Sequence, residues 1–143
     1  MRPTKTPIGL QLATTSKAVS RAFNDALAEA GGSLPIWLVL SSLKSDARRT
    51  QLELARAIGI EGPTLTRHLD GLEEAGLVQR VRAEADRRAV RVELTDEGEQ
   101  LFHRLRKAVV AFNERLTEGV SEPELDRLRR TLARLQNNVA QLP

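Results

Sequence analysis

Residues 50–94 read TQLELARAIGIEGPTLTRHLDGLEEAGLVQRVRAEADRRAVRVEL, and local rules within this stretch decide the fold. Thr50 and Glu53 form a T-x-x-E capping box, the signature of a helix start. Leu52, Ala55 and Ile58 then share one face. Gly59 follows where a left-handed residue would end that helix. Pro63 suits the first turn of a second helix, where its missing N–H is not needed. Leu65, Leu69 and Leu72 repeat at i, i+4 and i+7 and therefore face the core, and Gly76 ends the helix. Opposite the leucines stand Pro63, Thr64, Arg67, Asp70 and Gly71, with Thr66 and His68 on the flanks. The N-terminal half of this helix thus turns small, polar and basic side chains outward.

Two strand-like runs follow, Leu77 to Arg82 and Ala89 to Leu94, with Val78, Val90 and Val92 among their β-branched residues. The tip between them, Ala83 to Arg88, has no Gly or Pro and reads as an open loop. Arg80, Arg82, Arg87, Arg88 and Arg91 crowd the hairpin against Glu84, Asp86 and Glu93. Helix, turn, helix and hairpin in that order make a winged helix-turn-helix. In such a fold the second helix meets base edges in a major groove with its N-terminal end. An arginine at the loop tip can enter a narrow, A·T-rich minor groove.

At these residues the chain is similar to the MarR family of bacterial regulators, and most to its SlyA branch. The resemblance runs over nearly the whole chain. It is most specific in ELARAIGIEGPTLTRHLDGLEEAGLVQR and DRRAVRVELTDEG, which combine the second helix, its LEEAGLVQR exit and the DRR wing. It implies a homodimeric winged-helix protein that binds double-stranded DNA at a palindrome, acting on transcription as a repressor. It also implies release by a small phenolic or other anionic ligand, as in many members. Residue by residue, Pro63, Thr64 and Arg67 match major-groove readers. Arg88 matches the minor-groove residue of a D-x-R wing pattern, with Arg87 its neighbour and Asp86 orienting it.

The chain has 143 residues, enough for one domain with its own core. Ala, Leu, Glu and Arg dominate and aromatic residues are few, which favours a mainly α fold with a small β-hairpin wing (α+β). The net charge is only +3, but its placement is uneven. Basic residues cluster at 1–21, at 44–56 and on the wing, while acidic residues gather after Glu93. That asymmetry suits a polyanionic partner on one face, although it also fits a merely basic soluble protein. There is no cysteine, so disulfides, thiolate catalysis and thiol-based redox sensing are excluded. No apolar run is long enough to span a bilayer, and MRPTKTPIGLQL lacks the core of a signal peptide. No membrane partner is expected, and the cytoplasm is the default location.

A single domain, 1–143, is expected. Met1 to Pro7 reads as a basic arm, and a helix over 8–30 runs through Ile8, Leu12, Val19, Phe23 and Leu27. Ser33 can cap a second helix, with Pro35 in its first turn and Ile36, Trp37, Leu40 and Leu43 as its buried side. The winged unit then spans 34–94, with the recognition helix at about 62–75 and the wing at about 77–94. Thr95 can cap the next helix, whose apolar stripe runs Leu101, Leu105, Ala108, Val109, Phe112 and Leu116 until Gly119. Ser121 and Glu124 form another capping box, and Leu125, Leu128, Leu132, Leu135, Val139 and Leu142 then alternate spacings of three and four. That coiled-coil-like seam either packs on the first helix of its own chain or interlocks with a second subunit. The expectation is the second, with 8–30 and 96–142 as dimerisation helices.

Each candidate residue also has a plain reading. Arg67 is either a base or phosphate contact, or a surface arginine paired with Asp70 or Glu74. Arg87 and Arg88 either meet DNA or solvate the tip. Gln51, Arg56, Arg80 and Arg82 point to phosphates or to solvent rather than bases. Trp37, Leu40 and Phe112 are either core or the wall of a pocket for a small aromatic effector. His68 and His103 have no ligand spacing, so neither a metal nor a cofactor is expected. No Walker, dinucleotide-binding or nucleophile-elbow pattern occurs, and no spacing suggests a triad, so no catalytic residue is assigned. The competing function is a winged helix that docks on proteins without binding DNA.

Overall fold

A computed structural model of the chain describes residues 5–47, 49–83 and 86–143; of Ala83, Asp86, Arg87 and Arg88 only the backbone is described. The elements run α1 (Ile8–Glu29), α2 (Leu34–Ser45), α3 (Gln51–Ile58), α4 (Gly62–Glu74), β1 (Val78–Ala83), β2 (Asp86–Leu94), α5 (Asp96–Leu116) and α6 (Glu122–Ala140). Two compact units emerge, Met1–Phe112 and Asn113–Pro143.

The helices of the first unit start and stop on local chemistry. The Ser33 hydroxyl accepts from the Ile36 N–H at 3.4 Å, with Pro35 in the first turn of α2. The Thr50 hydroxyl accepts from the Glu53 N–H at 3.2 Å and donates to the Glu53 carboxylate at 3.1 Å. Half of a capping box is therefore formed, and its return limb ends on the hydroxyl. Gly59 ends α3 at φ 70°, and Gly76 ends α4 at φ 77°. Both conformations disfavour any residue with a Cβ.

One core joins these elements. It takes Leu27 from α1, Val39, Leu40 and Leu43 from α2, and Leu54 from α3. α4 adds Leu65, Leu69 and Leu72, the hairpin adds Val78 and Val92, and α5 adds Leu101, Phe102 and Leu105. On α2, Ile36 and Trp37 are only half-buried, and Val39 takes the inner place instead. On α3 the buried residue is Leu54, whereas Leu52 is 61% exposed. An eight-residue helix wedged between α2 and α4 turns its inner face by packing, and Leu52 falls outside it.

The hairpin is antiparallel, with Val78 opposite Leu94, Arg80 opposite Val92 and Arg82 opposite Val90. β2 starts at Asp86, so backbone pairing reaches further towards the tip than side-chain alternation predicts. Thr50 bridges to Arg91, and the Val92 N–H donates to the Arg49 carbonyl at 3.2 Å, which ties the start of α3 to the hairpin.

Thr95 closes the unit. Its hydroxyl donates to the Gly76 carbonyl at 2.6 Å and accepts from the Gly98 N–H at 3.1 Å. Its own N–H donates to the Leu77 carbonyl at 3.1 Å. The end of α4 and the start of α5 thus share one residue. A Cβ on Gly98 would collide with the Leu77 carbonyl oxygen, so the close approach requires glycine.

In the second unit, α6 opens on a full capping box. The Glu124 N–H donates to the Ser121 hydroxyl at 3.3 Å, and the Ser121 N–H donates to the Glu124 carboxylate at 2.8 Å. No residue of α6 is buried. Among the described residues no single helix is long and apolar enough to cross a membrane.

Gly98→Ala should therefore lower stability by about 1–3 kcal/mol through overpacking against Leu77. Thermal or urea unfolding of the variant checks this, and an unchanged midpoint would remove the close-packed joint.

Candidate nucleic-acid interface

α4 sits with its leucines inward, and that seating fixes what it shows. Leu65 and Leu69 are fully buried and Leu72 nearly so. Pro63, Arg67, Asp70 and Gly71 are exposed, while Thr64, Thr66 and His68 are half-buried along the flanks. Arg67 makes no ion pair among the described residues. The carboxylate nearest in register, Asp70, is engaged elsewhere.

Its partner is Arg80 on β1. The Arg80 guanidinium donates from Nη2 to Asp70 Oδ1 at 2.6 Å and to Glu73 Oε1 at 3.3 Å. The Arg80 backbone N–H donates to Glu73 Oε2 at 2.9 Å. The side chain is 23% exposed, so the guanidinium is partly shielded. Hydrogen bonding from the Arg80 side chain holds the Glu73 carboxyl below the ordinary carboxylate range. Hydrogen bonds to Glu73 and then Asp70 push Arg80 the other way, upward. Arg80 is thus a strut between the C-terminal half of α4 and the hairpin, and it neutralises two acids on a helix that would otherwise repel phosphates.

Gln51, in the first turn of α3, reaches Thr66 on α4. Gln51 Nε2 donates to the Thr66 hydroxyl at 2.8 Å, and that hydroxyl donates to the Gly62 carbonyl at 3.0 Å. An open groove of about 540 Å³ lies beside this pair, with Leu52, Ala55, Ala89 and Val90 in its walls. Neither the Gln51–Thr66 bond nor the Arg80 strut follows from sequence spacing, because each joins two elements through the tertiary packing.

On the wing, Arg82 is exposed and makes no ion pair among the described residues. Arg91 lies 3.7 Å from Glu93, and the Nε atoms of Arg49 and Arg91 are buried without a hydrogen-bond partner among the described residues. The side chains of Asp86, Arg87 and Arg88, on which the minor-groove expectation falls, lie outside the described residues.

Of the three residues considered for an effector pocket, Leu40 belongs to the core and Trp37 packs against it. Leu40 has no exposed surface. The Trp37 ring stacks on Phe102 at 5.5 Å, and Phe112 tilts against Phe23 at 5.1 Å. His103 lies edge-on to Phe102, with Nε2 3.9 Å from Glu99, and Lys44 pairs with the same glutamate. Among the described residues no group of three or more His, Cys, Asp or Glu is placed to hold a metal ion.

Comparison with known proteins locates this geometry. The model of the MarR family matches residues 33–90. The chain is 35% identical to transcriptional regulator PA3341, covering 95% of this chain and 100% of that one, with a TM-score of 0.78. It is 31% identical to the transcriptional repressor CouR bound to a 23-mer DNA duplex, covering 91% and 92%, with a TM-score of 0.83. It is 30% identical to CouR from Rhodococcus jostii RHA1 bound to p-coumaroyl-CoA, covering 87% and 88%, with a TM-score of 0.76. These relatives are regulators of transcription.

Arg80→Ala should weaken DNA binding while leaving the slope of log K against log salt unchanged. A phosphate contact would lower that slope by about 0.9, and a titration across salt concentrations separates the two. The stability difference between wild type and Glu73→Gln should be present at neutral pH. It should close as pH falls through the lowered Glu73 pKa, because a depressed carboxylate loses its contribution on protonation. Denaturant midpoints across pH check it.

Proposed function

This chain belongs to the MarR family, and we propose that it is a sequence-specific transcriptional repressor that binds a pseudo-palindromic operator as a homodimer. The observation that carries the reading is the outward face of α4, where Arg67 is exposed and free of ion pairs among the described residues. A guanidinium so placed can bond the O6 and N7 of a guanine in the major groove. Pro63, Thr64, Thr66 and His68 border it. Gln51 and Arg82 take phosphates, and Arg88, beside Arg87 and oriented by Asp86, takes the minor groove. Within the SlyA-like branch, the LEEAGLVQR exit and DRR wing support the placement.

The homodimer is supported by exposed apolar surface on the terminal helices. On α1, Ile8 and Leu10 are 59% and 60% exposed, and on α6, Leu128 and Leu132 are 50% and 40% exposed. Two copies joined there would hold two α4 helices about 34 Å apart, one turn of duplex. As a regulator of DNA the protein acts in the cytoplasm. A small phenolic or other anionic effector is the proposed release signal, in keeping with the p-coumaroyl-CoA bound by CouR.

Selection of bound sites from random duplexes should return an inverted repeat. Arg67→Ala should then cost about 1–3 kcal/mol and relax one base position. Arg88→Ala should weaken sites with A·T-rich flanks most. Wild-type binding by both variants would overturn these roles. Sedimentation should give twice the 15.8 kDa chain mass. Leu128→Glu with Leu132→Glu should give the monomer and weaken operator binding about 10²-fold or more through lost avidity.

A further inference from the structure

Thr66 lies on the flank of α4 that faces α3, and both sides of its hydroxyl are occupied. The proton goes to the Gly62 carbonyl at 3.0 Å, one turn back along the helix. One lone pair takes the Gln51 Nε2 hydrogen at 2.8 Å. A threonine hydroxyl has a single proton to donate. Phosphate oxygens, guanine O6 and N7, adenine N7 and thymine O4 all need a donor. None of them can be served by Thr66 while this arrangement holds.

As a donor Thr66 is spent; its hydroxyl keeps a single lone pair, and beside that stands its methyl group. The groove beside it carries the same character, with Leu52, Ala55, Ala89 and Val90 in its walls. Leu52, 61% exposed, is part of that wall. In the major groove the one apolar base feature is the thymine C5-methyl group. Taking α4 as the recognition helix, as the preceding section does, we propose that Thr66 is a specificity-determining residue that reads a thymine through its methyl group. Gln51 is the positioning residue that holds it in that state. Gln51 keeps a second N–H and its carbonyl oxygen. The start of α3 crosses the duplex backbone in a helix-turn-helix, so that N–H serves a phosphate. The same amide then joins backbone docking to the chemistry of the reading helix.

The plain alternative is that the two hydrogen bonds only pin α3 to α4. The two roles separate by chemistry. Thr66→Ser keeps the hydroxyl and deletes the methyl group. Thr66→Val keeps methyl groups and deletes the hydroxyl. The experiment takes the full chain and the duplex it selects, replaces each thymine in turn with deoxyuridine, and measures Kd by fluorescence anisotropy.

For the wild type, one thymine per half-site should lose about fourfold on replacement, the value of one buried methyl group. Thr66→Ser should bind the thymine and deoxyuridine duplexes alike, whereas Thr66→Val, held in one helical rotamer by its own branching rather than by Gln51, should keep the fourfold difference. Gln51→Ala should shrink the difference, and methyl NMR should show the Thr66 side chain averaging between rotamers where the wild type holds one. A selected inverted repeat with a flat deoxyuridine scan would overturn this inference and leave the repressor reading standing. So would a Thr66→Ser variant that retains the sensitivity, or a Gln51→Ala variant whose Thr66 stays in one rotamer. Failure to select any duplex would remove the repressor reading and this inference with it.

Discussion

The seating of α4 on Leu65, Leu69 and Leu72 is the constraint from which the rest follows. Each buried leucine is worth about 1.5–3 kcal/mol, and all three lie on one stripe of a thirteen-residue helix. Exposed ion pairs contribute about 0–1 kcal/mol each. The rotation of α4 about its axis is therefore set by the leucines, and the Arg80 strut only trims it. Any turn that moved Arg67 inward would expose leucine surface, and no surface charge pair is strong enough to offset that. The outward placement of Arg67 is a consequence of burial on the opposite side.

Charge along α4 is divided in the same economical way. Its acids, Asp70, Glu73 and Glu74, stand in the C-terminal half, and Arg80 occupies two of them. The N-terminal half carries Arg67 and the positive end of the helix dipole. One end of α4 is thus basic and the other neutralised. The Thr95 joint has a related role: by bonding Gly76 and Gly98 at once it fixes where α4 stops and, through the short turn at Leu77, where the hairpin begins.

Much of this was legible in the chain itself, wherever the deciding physics is local. Ser33, Thr50, Thr95 and Ser121 cap helices because a hydroxyl before a helix meets orphan N–H groups whatever lies beyond. Gly59 and Gly76 take positive φ because helices end that way. The leucine stripe of α4 came from its period alone. Leu52 was not legible, since an eight-residue helix has too few turns to define its inner face. The early start of β2 was missed because backbone pairing does not need side-chain alternation. Arg80 and Gln51 were picked out as surface contacts, yet their geometry depends on partners seven to fifteen residues away across a turn. No periodicity encodes such pairs.

α6 presents the opposite case, a pattern that local structure leaves unsatisfied. Its capping box is complete and its helix is well formed, yet the single chain buries none of its residues. Leu128, Leu132 and Val139 remain 50%, 40% and 65% exposed. Most helices in proteins owe their stability to packing of an apolar face rather than to propensity. A stripe spaced by three and four is the form that interlocks with another helix rather than with a flat surface. If a second chain covers that surface, as proposed above, the stability of the segment should depend on protein concentration. The two halves of the reading then reinforce each other. In the homodimer proposed above, a reading head with few base contacts would gain its selectivity from a second head, and the uncovered seam would bring that head.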